Sequence, residues 1–449
     1  MPFLGLGYRR PARVDRDSIK RNSLDSDLSE PDSFKSNISA ASNGIPGALS
    51  FDKIMSGGTC PPMTVRDFMN YLIYIERSAE NLQFYLWYED FVKRFQSAST
   101  SDLALAPKWT KGLHEDALAM IVKDAHGAMH REPKGAAEMF KGTDFAKKPG
   151  NKSPKPGIPC ADPFATPPRT PNDTTSDFGA PVGAPVGGDS YREIAGEAFD
   201  AVGIKRPFTV QPFREEIDRV VATYIADNAP RQLNLSDREQ RITLAGLAYT
   251  THPSALRTAV KVVETSLRGQ AHPNFVRWSI CNGNPARVFF ARFLGVFLIV
   301  GATLAAILLA LSDVARAYRA VCAVGWVLGI ATLIAAWKGM CVVLHGMHHR
   351  HIRPWELFTD CDSESGNKEK TRGSFESFGS SNSYEDEPWV VKYEKRNLVR
   401  KIFDREVWIQ EPALRQIQDT IFIQAMLFAL ITSGILTAIF VLVPSGSMY

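Results

Sequence analysis

The chain has little of what marks secreted, metal-bound or nucleic-acid-binding modules. Its six cysteines (Cys60, Cys160, Cys281, Cys322, Cys341, Cys361) are scattered over 449 residues with no C-x-x-C pair. That spacing argues against a zinc module and a disulfide framework, and for reduced thiols inside a cell. No apolar run opens the sequence: Arg9, Arg10, Arg13 and Arg16 lead into polar residues, so a secretory signal is not expected. A formal charge of +4 is too small to point to nucleic acid. No part of the soluble region alternates apolar and polar residues with period two over a useful length, which excludes a sheet-based fold there. A nucleophile–base pair, a phosphate loop and paired catalytic carboxylates are all lacking. Neither enzymatic chemistry nor a cofactor is expected.

What is present is helical periodicity. In 70–91, NYLIYIERSAENLQFYLWYEDF, residues Leu72, Ile75, Ala79, Leu82 and Leu86 recur at three- and four-residue steps and share a helical face. Phe84, Trp87, Tyr88 and Phe91 add aromatic bulk for a packed core. The polar interruption around Ser78 fits either one long helix or two helices broken there, with Ser78 as the cap. Upstream, Thr64 and Asp67 have capping-box spacing, and folding is expected to begin near Cys60. Residues 1–59 are poor in large apolar groups and are expected to be a disordered tail, with 20–23 (KRNS) as a candidate kinase site.

Past a faltering signal at 96–101, a helix is expected over 114–129. The proline- and glycine-dense run 133–188 reads as a disordered insertion. Helices are expected again from Ser190, over 213–225, after the capping box Ser236/Glu239, and over 254–268. In the last of these Pro253 sits in the first turn and Gly269 at the C-cap. The soluble part is therefore all-α.

The segment ERSAENLQFYLWYEDF resembles the central signature of regulator of G-protein signalling (RGS) domains. A second block matches in the right order: a helix, the loop Leu233-Asn234-Leu235, two further helices and the closing pair Asn274-Phe275. The resemblance covers roughly 60–278 and implies an RGS-like helical bundle. Such domains hold the switch regions of a Gα subunit in their transition-state arrangement and contribute no catalytic group. On that resemblance Glu80 and Asn81 match the first contact loop and Asn234 the second; an amide suits the work because it both donates and accepts. In the third loop the family has an acidic residue five positions before the closing Phe and an Arg immediately before it. Here those slots hold Gln270 and Asn274, so a charge-assisted contact is missing. The implied partner is a Gα subunit. GTPase acceleration, or an RGS fold that only binds, are both compatible with these residues.

The remainder, 279–449, needs no resemblance. Runs at 288–311, 320–344 and 420–443 are each long and apolar enough to cross a bilayer of ~30 Å. Lys338 could snorkel to the interface. Arg277, Arg287, Arg292, Arg350 and Arg353 flank one side, which places the soluble domain and the loop 345–419 in the cytosol and makes membrane lipid a partner. Gly325 and Gly329 form a G-x-x-x-G that packs helices or dimerises them. Cys281 is a palmitoylation candidate. His345, His348, His349 and His351 fit either a metal site or, more simply, a basic segment facing headgroups, and no metal is expected. The acidic, serine-rich stretch 360–387 reads as a solvated segment.

An RGS-like domain followed by three spans resembles, as a domain order, the fungal Rax-type membrane proteins of bud-site selection and polarised growth. That implies a plasma-membrane landmark with a membrane-protein partner in polarity. Two functions of different class follow: a membrane-anchored regulator of G-protein signalling, and a polarity scaffold whose RGS fold serves binding alone.

Overall fold

A computed structural model describes residues 8–15, 44–130, 188–207, 210–357, 390 and 393–444. The kinase-site tetrapeptide 20–23, the insertion 133–188 apart from its last residue, and the stretch 360–387 lie outside these residues. The described chain is helical, with one two-stranded ribbon among its described residues. It divides into two compact units, Met1–Trp87 with Lys261–Tyr449, and Tyr88–Val260. The division does not follow the boundary expected at 278, because 261–278 groups with the membrane helices.

In the first unit a 3-10 turn, Gly47–Leu49, leads into α1 (Phe51–Met55). Leu49, Phe51 and Ile54 are buried, so structure begins before the expected start at Cys60. The Thr64/Asp67 capping box forms and opens α2 (Val65–Tyr71). This helix widens into a π turn, Leu72–Glu76, and stops at Arg77, which is left-handed with φ 55°. Helix α3 (Ala79–Gln96) then starts afresh. Of the two arrangements the periodicity allowed, the broken one is adopted. The π turn and left-handed residue shift the helical phase, so Leu72, Ala79 and Leu82 are buried whereas Ile75, expected on the same face, is exposed.

The second unit holds α4 (Thr100–Leu105), α5 (Lys111–His130), α6 (Gly188–Ala201), α7 (Arg214–Val220) with its π turn Val221–Ile225, and α8 (Asp237–Tyr249). Ser99 caps α4 and the Ser236/Glu239 box caps α8. Phe91, Phe95, Phe213 and His252 stack edge-on or tilted in its core. Arg94 grips Glu216 through two bonds of 2.5 and 2.8 Å.

Returning to the first unit, α9 (Arg257–Ser266) does not end at Gly269 as expected. It passes through a π turn, Leu267–Ala271, into α10 (His272–Ile280). Pro273 supplies the reason: it cannot donate to the carbonyl four residues back, and its ring would crowd that carbonyl in a regular α-turn. A wider turn relieves both problems without breaking the helix.

Three helices are long and apolar enough to cross a membrane, and the protein is a membrane protein on that ground. The first is α11 (Pro285–Leu311), capped by Asn284, whose side-chain oxygen accepts from the Arg287 amide at 2.8 Å. The second, Arg316–Trp337, joins a 3-10 turn, Arg316–Val321, to α12 (Cys322–Trp337). It ends seven residues before the expected 344, because Gly339 adopts φ 79° and its amide and that of Met340 satisfy Ala336 and Ala335. A short α13 (Val342–Gly346) and β1 (His349–His351) follow. After α14 (Leu398–Ile402), β2 (Glu406–Trp408) pairs antiparallel with β1, His349 opposite Trp408. The third span is α15 (Pro412–Leu442).

The G-x-x-x-G is used inside the chain. A Cβ on Gly329 would lie 2.7 Å from Ile299 and 3.0 Å from the Gly295 carbonyl, and one on Gly325 2.8 Å from Ala302. Both glycines therefore let α12 cross α11 at backbone distance, and that face is already filled. At the far ends of the spans, the buried Arg319 donates to the carbonyls of Ala310, Phe440 and Val443 at 3.4, 3.0 and 2.6 Å. One guanidinium thus caps the C-termini of α11 and α15.

Candidate functional site

Of the five residues that the RGS resemblance assigned to a Gα face, four lie in the first unit and are largely withdrawn from solvent. Glu80 and Asn81, in the first turn of α3, are 9 % and 6 % exposed. Asn274 is 9 % exposed and Gln270 is half-buried. Asn234 belongs to the second unit and is exposed, two residues before the Ser236 cap. Burial of Glu80 and Asn81 departs from the expected contact loop; the break at Arg77 starts α3 with both on a covered face.

Gln270 and Asn274 converge on the carboxylate of Glu76, the last residue of the π turn after α2. The Gln270 amide donates to Glu76 at 3.0 Å. The Tyr71 hydroxyl and the Asn274 amide stand beside that carboxyl and favour its charged form. Burial raises the Glu76 pKa above the ordinary carboxylate value, and those three donors pull it back. Burial, together with Glu76, likewise raises the Tyr71 phenol.

Residues 8–15 lie over this cluster. Val14 exchanges both backbone bonds with the Asn274 side chain, its amide donating at 2.9 Å and its carbonyl accepting at 3.0 Å. Arg10 donates to the carbonyls of Arg277 and Lys338 at 2.6 and 2.7 Å and to the Cys281 sulfur at 2.8 Å. Arg277 donates to Pro11, and Gln424 on α15 donates to Tyr8. A segment expected to be unstructured is therefore a strap joining α10, the end of α12 and α15. Two residues singled out in the sequence lie beside it: Cys281 packs under Arg10 and against Gly339, and Lys338 reaches Gln424 at 3.4 Å.

Beside the strap the soluble and membrane parts of this unit interlock. Asn282 exchanges two bonds with the Cys341 backbone at 2.7 and 3.2 Å, and Gln418 donates to the Ile280 carbonyl. The buried Glu411 accepts from the Cys60 amide at 2.7 Å. The Arg353 guanidinium lies 3.6 Å above the Trp278 ring, and Trp355 stacks between Tyr74 and Trp278. Burial and the neighbouring Arg350 bring the Arg353 pKa down to about 9, with Glu356 opposing the shift. Arg350 forms a forked pair with Glu356 at 2.9 and 3.1 Å.

The histidine run is divided between covered and half-covered positions, with His348 and His349 half-buried. His345 and His351 are buried, and burial lowers both pKa values. Arg287 donates to the His351 ring and to Glu406, and His345 stands 3.5 Å from Asp419. Among the described residues no three His, Cys, Asp or Glu side chains are placed to hold a metal.

Two participants were out of reach of sequence reasoning. Glu76 left a faint signal, an acid ending the apolar run LIYI; Arg10 left only a basic pair in a polar stretch. Compared with family models, curated proteins and solved structures, the chain has no match.

Proposed function

We propose that this is a membrane-anchored, RGS-like scaffold: a helical module fixed to three spans that binds a partner at one membrane face and does not accelerate GTP hydrolysis in the described arrangement. One observation carries the reading. Gln270 and Asn274 are engaged inside the fold by Glu76 and Val14, and Glu80 and Asn81 are buried, so four of the five residues that would grip a Gα switch are occupied or covered. The resemblance to the Rax-type architecture supports a role in cell polarity or bud-site selection at the plasma membrane, with a membrane protein as partner. The arginine bias around the spans supports a cytosolic soluble face.

The second reading, GTPase activation of a Gα subunit, is favoured by two specific features. Asn234 remains exposed, and the strap over Asn274 is held by non-covalent bonds that can be released. The experiment is single-turnover GTP hydrolysis by candidate Gα subunits, with the full chain in nanodiscs. No acceleration is expected. Acceleration that disappears in Asn234→Ala would overturn the scaffold reading. Acceleration only in a variant lacking residues 1–43 would make the protein a strap-inhibited activator.

A further inference from the structure

The segment between the second and third spans carries an apolar surface that its contacts with Phe290 and Arg415 leave largely exposed. Leu398, Val399 and Phe403 are 61 %, 62 % and 68 % exposed, and Trp408 on β2 is 51 % exposed. At 100° per residue, Leu398, Val399 and Ile402 fall within one sector of α14, Arg400 and Lys401 fall outside it, and Phe403 follows at the C-cap. The acids of this segment are largely neutralised. Asp404 accepts from Arg396 at 2.8 and 3.1 Å, and Glu406 accepts from Arg287 at 2.5 Å. Lys395, Arg400 and Arg405 are exposed, against Glu394 as the exposed acid. A small apolar face edged by cations is the composition of an element that lies in a bilayer interface.

Its attachment fixes its depth. The Asn284 amide, at the cap of α11, donates to the Lys401 carbonyl, and Phe403 meets Phe290 edge-on at 6.2 Å. Thus α14 is bolted to the first turns of the first span. That helix has 27 residues, so it is ~40 Å long against a hydrocarbon core of ~30 Å. Its charged residues, Arg287 and Arg292, both lie in the opening turns, so the surplus of ~10 Å falls at that end and brings α14 with it to headgroup level. The apolar face then continues the lipid-facing surface of α11, where Phe289 and Phe293 are exposed.

We propose that 393–408 is an interfacial element that docks on the bilayer surrounding its own spans, with Leu398, Val399, Phe403 and Trp408 entering the acyl boundary and Arg400 and Arg405 meeting anionic phospholipid headgroups. The inference rests on the spans alone and is independent of the scaffold reading. Because the element is tethered, it needs no free-standing affinity. A short helix too weak to partition alone suffices when its effective concentration at the surface is high. Each exposed basic residue near an anionic surface strengthens docking roughly fivefold.

The test is amide hydrogen exchange over 393–408 in the full chain, in detergent, in phosphatidylcholine nanodiscs, and in nanodiscs that also contain phosphatidylserine. Protection is expected to rise from detergent to neutral lipid and several-fold further with phosphatidylserine. Arg400→Gln with Arg405→Gln returns protection to its neutral-lipid level, and Leu398→Ser with Phe403→Ser removes it in both lipids. The charge variants leave every buried contact of α14 in place, so they report even if the apolar variants misfold. Equal protection in detergent and both lipids overturns the proposal. Equal protection in the two lipids, unchanged by Arg400→Gln with Arg405→Gln, overturns its anionic part.

Discussion

The helix α10 and the loop at Asn234 were assigned by one resemblance to one partner face, yet their amides have opposite fates. In α10, Asn274 is bound on both its amide groups by the Val14 backbone and leans on Glu76, and the neighbouring His272 donates to the Leu49 carbonyl at 2.8 Å. Around Asn234 the local polar work is done by Ser236 and Glu239, whose reciprocal box satisfies the start of α8 and leaves the asparagine in solvent. The contrast shows that residue type and motif order do not say whether an amide is available. Availability depends on what chain returns to cover it, and here residues 8–15 return.

The largest expected difference between the two regions is a pH response in α10. Burial holds the His272 imidazole pKa down at about 4 from 6.5, so the folded state refuses a proton that the unfolded chain accepts. Its stability is intact above 6.5 and is lost as pH falls toward 4, by about 3 kcal/mol. Thermal unfolding followed against pH should show this slope in the wild type, and His272→Gln should flatten it. A wild-type midpoint that does not fall across that window would refute the buried, neutral histidine.

Next comes Asn274→Ala, which strands the Val14 amide and carbonyl and removes a donor from Glu76. A loss of about 1–3 kcal/mol is expected, with faster tryptic cleavage after Arg9 and Arg13 as the strap lifts. If cleavage is unchanged, something other than Asn274 holds the strap.

Glu76 gives a smaller effect of opposite sign. Its folded pKa is raised above the ordinary value, so the native state keeps a proton that the unfolded chain has already released. Stability is greatest below the ordinary carboxylate range and declines as pH rises through the raised value. Glu76→Gln should abolish that decline, leaving the His272 slope as the larger remaining trend over the acidic range.

The smallest effect belongs to Asn234→Ala. An exposed loop residue outside the capping box should change stability by no more than about 0.5 kcal/mol. Chemical denaturation would measure it. A larger loss would place Asn234 in the packing of the second unit and erase the contrast with α10.

Much of the secondary structure was legible because its causes are local. Thr64/Asp67 and Ser236/Glu239 announce helix starts by spacing alone, and the three spans announce themselves by length and apolarity. The first span was read to within three residues at its start, since Asn284 and Pro285 cap it within the sequence itself. Errors arose where a local signal was ambiguous. Gly269 resembles a C-cap, but Pro273 turns that position into a π turn. The site was much less legible than the fold. Asn81, Asn234, Gln270 and Asn274 are equivalent letters in a motif, and only their surroundings separate them.

The sequence by itself determined an all-helical membrane protein with three spans, because apolar periodicity, run length and capping chemistry act over neighbouring residues. Tertiary structure alone decided that 8–15 covers Asn274, that Gly325 and Gly329 face α11 within the same chain, and that Arg319 closes two helix ends. Each of those outcomes joins groups far apart in the chain. Such pairings depend on how packed helices bring unsatisfied carbonyls, amides and carboxylates within hydrogen-bond reach, and no local pattern of residues encodes that distance.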